Sequence, residues 1–114
     1  MTRFHNMNAH YENIDGMVYF FSYDTLVMVH DEQNDVVTLL QNWDYSASTT
    51  RQIMRYIREY YPMLYWVSAR DVKKEVYDVN GVGVFNGVTI RYEPQPCGKL
   101  NAYHVAGTPL RFCV

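Results

Sequence analysis

The residues with most to offer chemically are three arginines. Arg51, Arg55 and Arg58 recur at i, i+4 and i+7, so a helix through them places all three guanidinium groups on one face. Arg70, Lys73 and Lys74 follow, and residues 51–74 hold six bases against two acids, Glu59 and Asp71. A guanidinium fork matches a carboxylate or a phosphate in geometry, so such a ridge would hold an acidic protein surface or a phosphate backbone. The plain alternative is a solvated helix face whose ion pairs are worth little. Tyrosine strengthens the binding case. Of 114 residues, 11 are Tyr, five Phe and two Trp. A domain of this size cannot bury all of them, and exposed Tyr beside Arg is the usual make-up of an interaction hot spot. Tyr45 and Tyr56 stand beside the ridge and are the rings expected to touch a partner.

Other chemistries have weaker support. His5, His10, His30 and His104 form no i, i+4 pair, and no Cys-x-x-Cys occurs, so no metal site is expected. No nucleophile elbow is present. Asp24, Asp31 and Asp44 surround a turn-rich stretch and read as turn residues before they read as an acid–base pair. Gly83 and Gly87 belong to hairpin chemistry, since no Lys-Ser/Thr follows them. No catalytic residue and no cofactor is therefore expected, and the protein is read as not an enzyme. The acidic stretch Asp31, Glu32 and Asp35 is the second candidate for partner contact, by imitating a phosphate backbone. Charge is split along the chain: residues 1–50 sum to −6 and residues 51–114 to +4, for a net −2. That balance weakens, without removing, a nucleic-acid role. Cys97 and Cys113 are expected as free thiols in a reducing, cytoplasmic setting. No apolar run approaches the roughly 18 residues a membrane helix needs, so no membrane partner is expected.

One domain, 1–114, of α+β class must position these residues. Residues 1–13 are polar and read as a short helix or an arm. Residues 17–41 are rich in β-branched and aromatic side chains and predict an antiparallel hairpin, with Ser22-Tyr23-Asp24 as a bulge or a tight turn. Thr49 as N-cap with Gln52 at N3 predicts a helix over about 50–61, ended by Pro62. Ser68 with Asp71 predicts a second helix over about 69–77. Met63–Val67 between them reads as a strand or a buried connection. Asn80-Gly81 and Asn86-Gly87 bracket a second hairpin through 82–92. Residues 94–114 read as a loop-rich tail, with Leu110–Val114 as an edge strand. The expected architecture is an antiparallel sheet of two hairpins with the main helix packed on it.

Ser22-Tyr-Asp-Thr-Leu-Val-Met-Val29, then Trp43-Asp-Tyr-Ser-Ala-Ser-Thr-Thr50 and Arg51-Gln-Ile-Met-Arg-Tyr-Ile57, resemble a pattern in small bacteriophage-type proteins. In those a Ser-Tyr-x-Thr-hydrophobic strand precedes an aromatic-Tyr-Ser-x-x-Thr-Thr helix start. The resemblance covers residues 17–60 and extends loosely to Tyr92. It implies an accessory protein in the cytoplasm of a bacterial host, acting by stoichiometric binding to a host protein. An inhibitor of a host defence nuclease, nucleic-acid-guided, is the example the resemblance suggests. A small nucleic-acid-binding regulator using the Arg51/Arg55/Arg58 face is the alternative.

Overall fold

Short apolar alternations separated by residues that tolerate a left-handed backbone dictate a meander at the N-terminal end. The computed structural model describes residues 1–78 and 81–93, with the backbone of 104–105 and 108–109. Strands β1 (Thr2–Arg3), β2 (Ala9–Ile14), β3 (Met17–Ser22), β4 (Thr25–Asp31) and β5 (Val36–Leu39) pair antiparallel in sequence order. Asp15 and Gly16, at φ 52° and 87°, make the β2–β3 turn, and Tyr23 at φ 55° makes the next. Residues 17–41 are thus three strands, where one hairpin was expected. Of the two readings of Ser22–Asp24 the tight turn holds, since β3 and β4 are separate strands, and the one register shift between them falls earlier, at Phe20/Phe21. Residues 1–13 are strands where an arm or a short helix was expected. Only Ala9 of β2 is buried, so the strand carries almost no apolar alternation to betray it.

Helix α1 (Ala47–Tyr60) starts three residues before the expected Thr50. Ser46, in an extended conformation, accepts from the Thr49 amide at 3.1 Å and is the true N-cap. Thr49 is buried instead, its hydroxyl 2.9 Å from that of Ser22 on β3. Pro62–Leu64 is a 3-10 turn, so Met63–Val67 is a connection and not a strand, with Leu64 and Val67 buried. Helix α2 (Ala69–Asp78) opens on the expected capping box: Ser68 Oγ accepts from the Asp71 amide, and Asp71 Oδ2 accepts from the Ser68 amide. Strands β6 (Val82–Phe85) and β7 (Val88–Tyr92) form the expected hairpin through Asn86 and Gly87, both at positive φ.

Strand β7 also pairs parallel with β5, from Val36↔Thr89 to Leu39↔Tyr92. The result is one seven-stranded mixed sheet, β1-β2-β3-β4-β5-β7-β6, and not two antiparallel hairpins. The two helices serve as the long crossover that a parallel neighbour requires. They cover one sheet face, where Val18, Phe20, Met28, Val37, Leu39, Phe85, Val88 and Ile90 meet Ile53, Ile57, Val72 and Val76 in the main core. Phe21, Leu26, Val29 and Leu40 make a smaller cluster on the other face. Strands β8 (His104–Val105) and β9 (Thr108–Pro109) pair antiparallel. Cys97, Cys113, Asn80 and the Leu110–Val114 expectation lie outside the described residues. No described helix is long and apolar enough to cross a membrane.

Candidate binding groove and a buried histidine network

One flank of α1, from its start to its last turn, and the facing side of α2 enclose a groove of about 510 Å3. Arg51, Met54 and Arg58 line it from α1, Ala69 and Lys73 from α2, and Asp44 to Ala47 from the approach to α1. Two of the cationic side chains are held in place. Arg58 donates from Nε and Nη2 to the Val67 carbonyl at 3.2 and 2.8 Å. Lys73 Nζ sits 5.9 Å from the Trp43 ring centroid, a cation–π distance. Arg51 is exposed, and Tyr45 is 82% exposed at the rim. Among the described residues the single acid in the groove is Asp44, which accepts from the Tyr77 hydroxyl at 2.8 Å. The Tyr77 oxygen in turn accepts from the Trp43 indole N–H. Burial, together with the Asp44 carboxylate, pushes the Tyr77 phenol up to about 12, so it remains a donor. The first turn of α1 holds no acid, and its free N–H groups add positive potential to the same groove.

The expected three-arginine ridge is therefore split. Arg55 is exposed but turned the other way, donating from Nε to Glu59 Oε2 at 2.9 Å. His5 Nε2 lies 2.8 Å from each oxygen of that carboxylate. The His5 and Arg55 contacts together hold the Glu59 carboxyl below its ordinary range. Lys73 takes the place of Arg55 in the groove, because α2 supplies its far wall. Tyr56, expected at the surface, is 7% exposed: the i+3 step from Ile53 turns it toward the core. The acids of the β4–β5 turn work as turn residues. Asp31 accepts from the Gln33 and Asn34 amides and the Asn34 side chain, which holds its carboxyl below the usual range. Glu32 accepts from Asn13 Nδ2 and Asp35 from the Tyr61 hydroxyl.

Sequence reasoning assigned His30 no role, yet it lies at the centre of the most elaborate polar network. His30 is fully buried on β4, opposite Val18 and Val37. Its Nδ1 is 2.8 Å from the Tyr56 hydroxyl and its Nε2 2.6 Å from that of Tyr61. Tyr61 donates to the Asp35 carboxylate at 2.9 Å, and a carboxylate can only accept. The Tyr61 oxygen must then accept from His30, so the proton of the neutral ring is on Nε2. Nδ1 accepts from Tyr56. Burial pushes the imidazole below its ordinary value, against the opposing pull of Glu32, Asp35 and Asp31. The signal was legible in principle: His30 has the parity of Met28 and therefore faces α1. Tyr56 and Tyr60, at i and i+4, share a helix face, and the chain turn at Pro62 brings Tyr61 back. With both nitrogens taken by tyrosines, His30 is no metal ligand, and no three His, Cys, Asp or Glu of the described residues gather as a metal site.

Fold and site together define a small mixed-sheet α+β domain with a basic groove on its helical layer. Over residues 2–78, more than half of the chain, the sequence matches DUF8033, a family of unknown function, and the protein belongs to that family. Neither the curated proteins nor the solved structures gave a match.

Proposed function

We propose that this protein is a non-enzymatic, phage-type accessory protein acting by stoichiometric binding, and that the groove between α1 and α2 docks an acidic face of a host protein. The phage-type origin and the host partner rest on the motif resemblance over residues 17–60. The docking face rests on one observation: Arg51, Arg58 and Lys73 converge beside the exposed Tyr45, and Asp44, the one acid there among the described residues, is already bonded to Tyr77. Carboxylates entering such a groove gain charge-assisted bonds from positioned donors, and the ring supplies contact area at little entropic cost. A nucleic-acid-guided nuclease, the example the motif resemblance suggests, is the first host target to test.

A second reading has its own support. The exposed Tyr45 ring next to Arg51 is also a platform on which an unpaired base would stack, with the arginines on phosphate. Fluorescence anisotropy separates the two. A labelled polyglutamate peptide and a labelled single-stranded oligonucleotide are titrated with the protein between ~50 and ~200 mM salt. Peptide binding that falls by about tenfold or more in Arg51→Glu/Lys73→Glu supports protein docking. Oligonucleotide binding that is tighter than peptide binding and falls steeply with salt moves the function to nucleic acid. Binding of neither probe, or binding that the double variant leaves unchanged, removes the groove from consideration.

A further inference from the structure

A second concavity lies along the flank of α1 that carries Tyr56, Glu59 and Tyr60. Strands β1 and β2 and the β4–β5 turn close its other sides, giving a cleft of about 430 Å3. Its walls are largely rings: Phe4, Tyr11, Tyr56 and Tyr60. Tyr56 and Tyr60 are fixed in place. The Tyr56 hydroxyl is anchored on His30, Tyr56 and Tyr60 stack with centroids 6.2 Å apart, and Tyr60 meets the His30 ring edge to face at 4.4 Å.

Among the described residues, three ionised side chains reach this cleft, Arg3, Glu32 and Glu59, and two are accounted for. Glu59 is matched by His5 and Arg55. Arg3 is exposed at the rim with its Nε on the Met7 carbonyl, where solvent screens it. Glu32 differs. It is half-buried, its Oε1 accepts from the neutral Asn13 amide at 2.7 Å, and among the described residues no cation pairs with it. It lines the cleft together with Tyr11, Tyr56 and Tyr60, and the Tyr60 hydroxyl also bonds to it. Ring faces are the negative pole of the aromatic quadrupole, so a carboxylate without a counter-ion among them favours a cation and disfavours an anion.

We propose that this cleft binds a small organic ammonium ion, with Glu32 as its counter-charge and the rings of Tyr11, Tyr56 and Tyr60 as its apolar walls. The site is separate from the basic groove and takes the opposite charge. The test is an NMR titration of the full 15N-labelled chain with tetramethylammonium chloride, against sodium chloride and sodium acetate at matched ionic strength. Saturable shifts at the Asn13 side-chain amide and at Glu32 and Tyr60 are expected with tetramethylammonium alone. Glu32→Gln should weaken binding about tenfold or more, and Tyr60→Leu several-fold, whereas Tyr60→Phe, which keeps the ring, should stay within about threefold. Arg3→Ala should leave affinity unchanged or raise it. If Glu32→Gln perturbs the fold, the Tyr60 pair decides, since Tyr60 lies on the rim. No saturable response to tetramethylammonium, an equal response to acetate, or equal affinity in Tyr60→Leu and wild type would overturn the proposal.

Discussion

A histidine whose two nitrogens are both bonded to phenols cannot take up a proton without breaking that arrangement. In the folded protein Nδ1 of His30 accepts from Tyr56, so protonation would leave two donors facing each other inside the core. Burial also penalises the charged ring, and the folded pKa lies below the ordinary 6.5. The unfolded chain therefore binds the proton first. Stability from this group is complete above pH ~6.5 and declines as pH falls from there toward the folded pKa. Urea unfolding at a series of pH values should show the midpoint dropping below pH ~6.5. His30→Gln, which keeps a donor and an acceptor, should flatten that segment while costing about 1–3 kcal/mol at neutral pH through imperfect bonding to Tyr56 and Tyr61. A wild-type slope unchanged in His30→Gln would show that other groups govern the acid limb. At this scale the sequence displayed the arginines and tyrosines but not their partners. Arg58 is taken by a backbone carbonyl nine residues on and Arg55 by a glutamate one turn on, and only the second follows from spacing.

At the element scale, β6 passes close under α2 at Gly83. A Cβ on Gly83 would stand 2.7 Å from Glu75 Cβ and 3.0 Å from the Phe85 ring. The obstacle is the first carbon of Glu75, which cannot swing aside as its carboxylate can. Gly83→Ala should destabilise the fold by about 1–3 kcal/mol, by pushing strand and helix apart. Glu75→Ala retains the offending carbon and should not rescue it. A double variant with wild-type thermal stability would show that the helix yields freely. The same contact explains what the sequence made legible. Helices and hairpins announce themselves by local chemistry: Ser68 with Asp71, Pro62, and Asn86-Gly87 all act where they were expected. The parallel pairing of β5 with β7 joins residues some 53 positions apart, as in Thr38↔Arg91, and leaves no local mark. Ser46 and Thr49 both suit an N-cap. The choice fell to Ser46 because Thr49 is needed by Ser22 on a strand 27 residues earlier, with Gln52 accepting from the same serine at 2.6 Å.

On the scale of the whole molecule, the acidic and basic halves of the chain are not two bodies. Acidic β1–β5 and basic α1–β7 share one sheet and one core, and the parallel β5–β7 seam fastens them. The match to DUF8033 ends at residue 78, whereas the sheet continues through Tyr92. Strands β6 and β7 supply Phe85, Val88 and Ile90 to the main core, all buried. Burial of each is worth about 1.5–3 kcal/mol, so together they approach the whole stability of an ordinary domain. Their loss would also bare Val37, Leu39, Val72 and Val76 and open β5 as an unpaired apolar edge. A chain truncated after Asp78 should lose its cooperative thermal transition and the dispersion of its amide NMR spectrum, and should self-associate more than the full chain. A cooperative melt near that of the full chain would mean that the matched segment folds alone, with β6 and β7 an appended hairpin. The expected failure would make the folding unit larger than the segment by which the family is recognised. Both candidate sites would then depend on it, because α2 walls the groove and β5 carries the turn that presents Glu32.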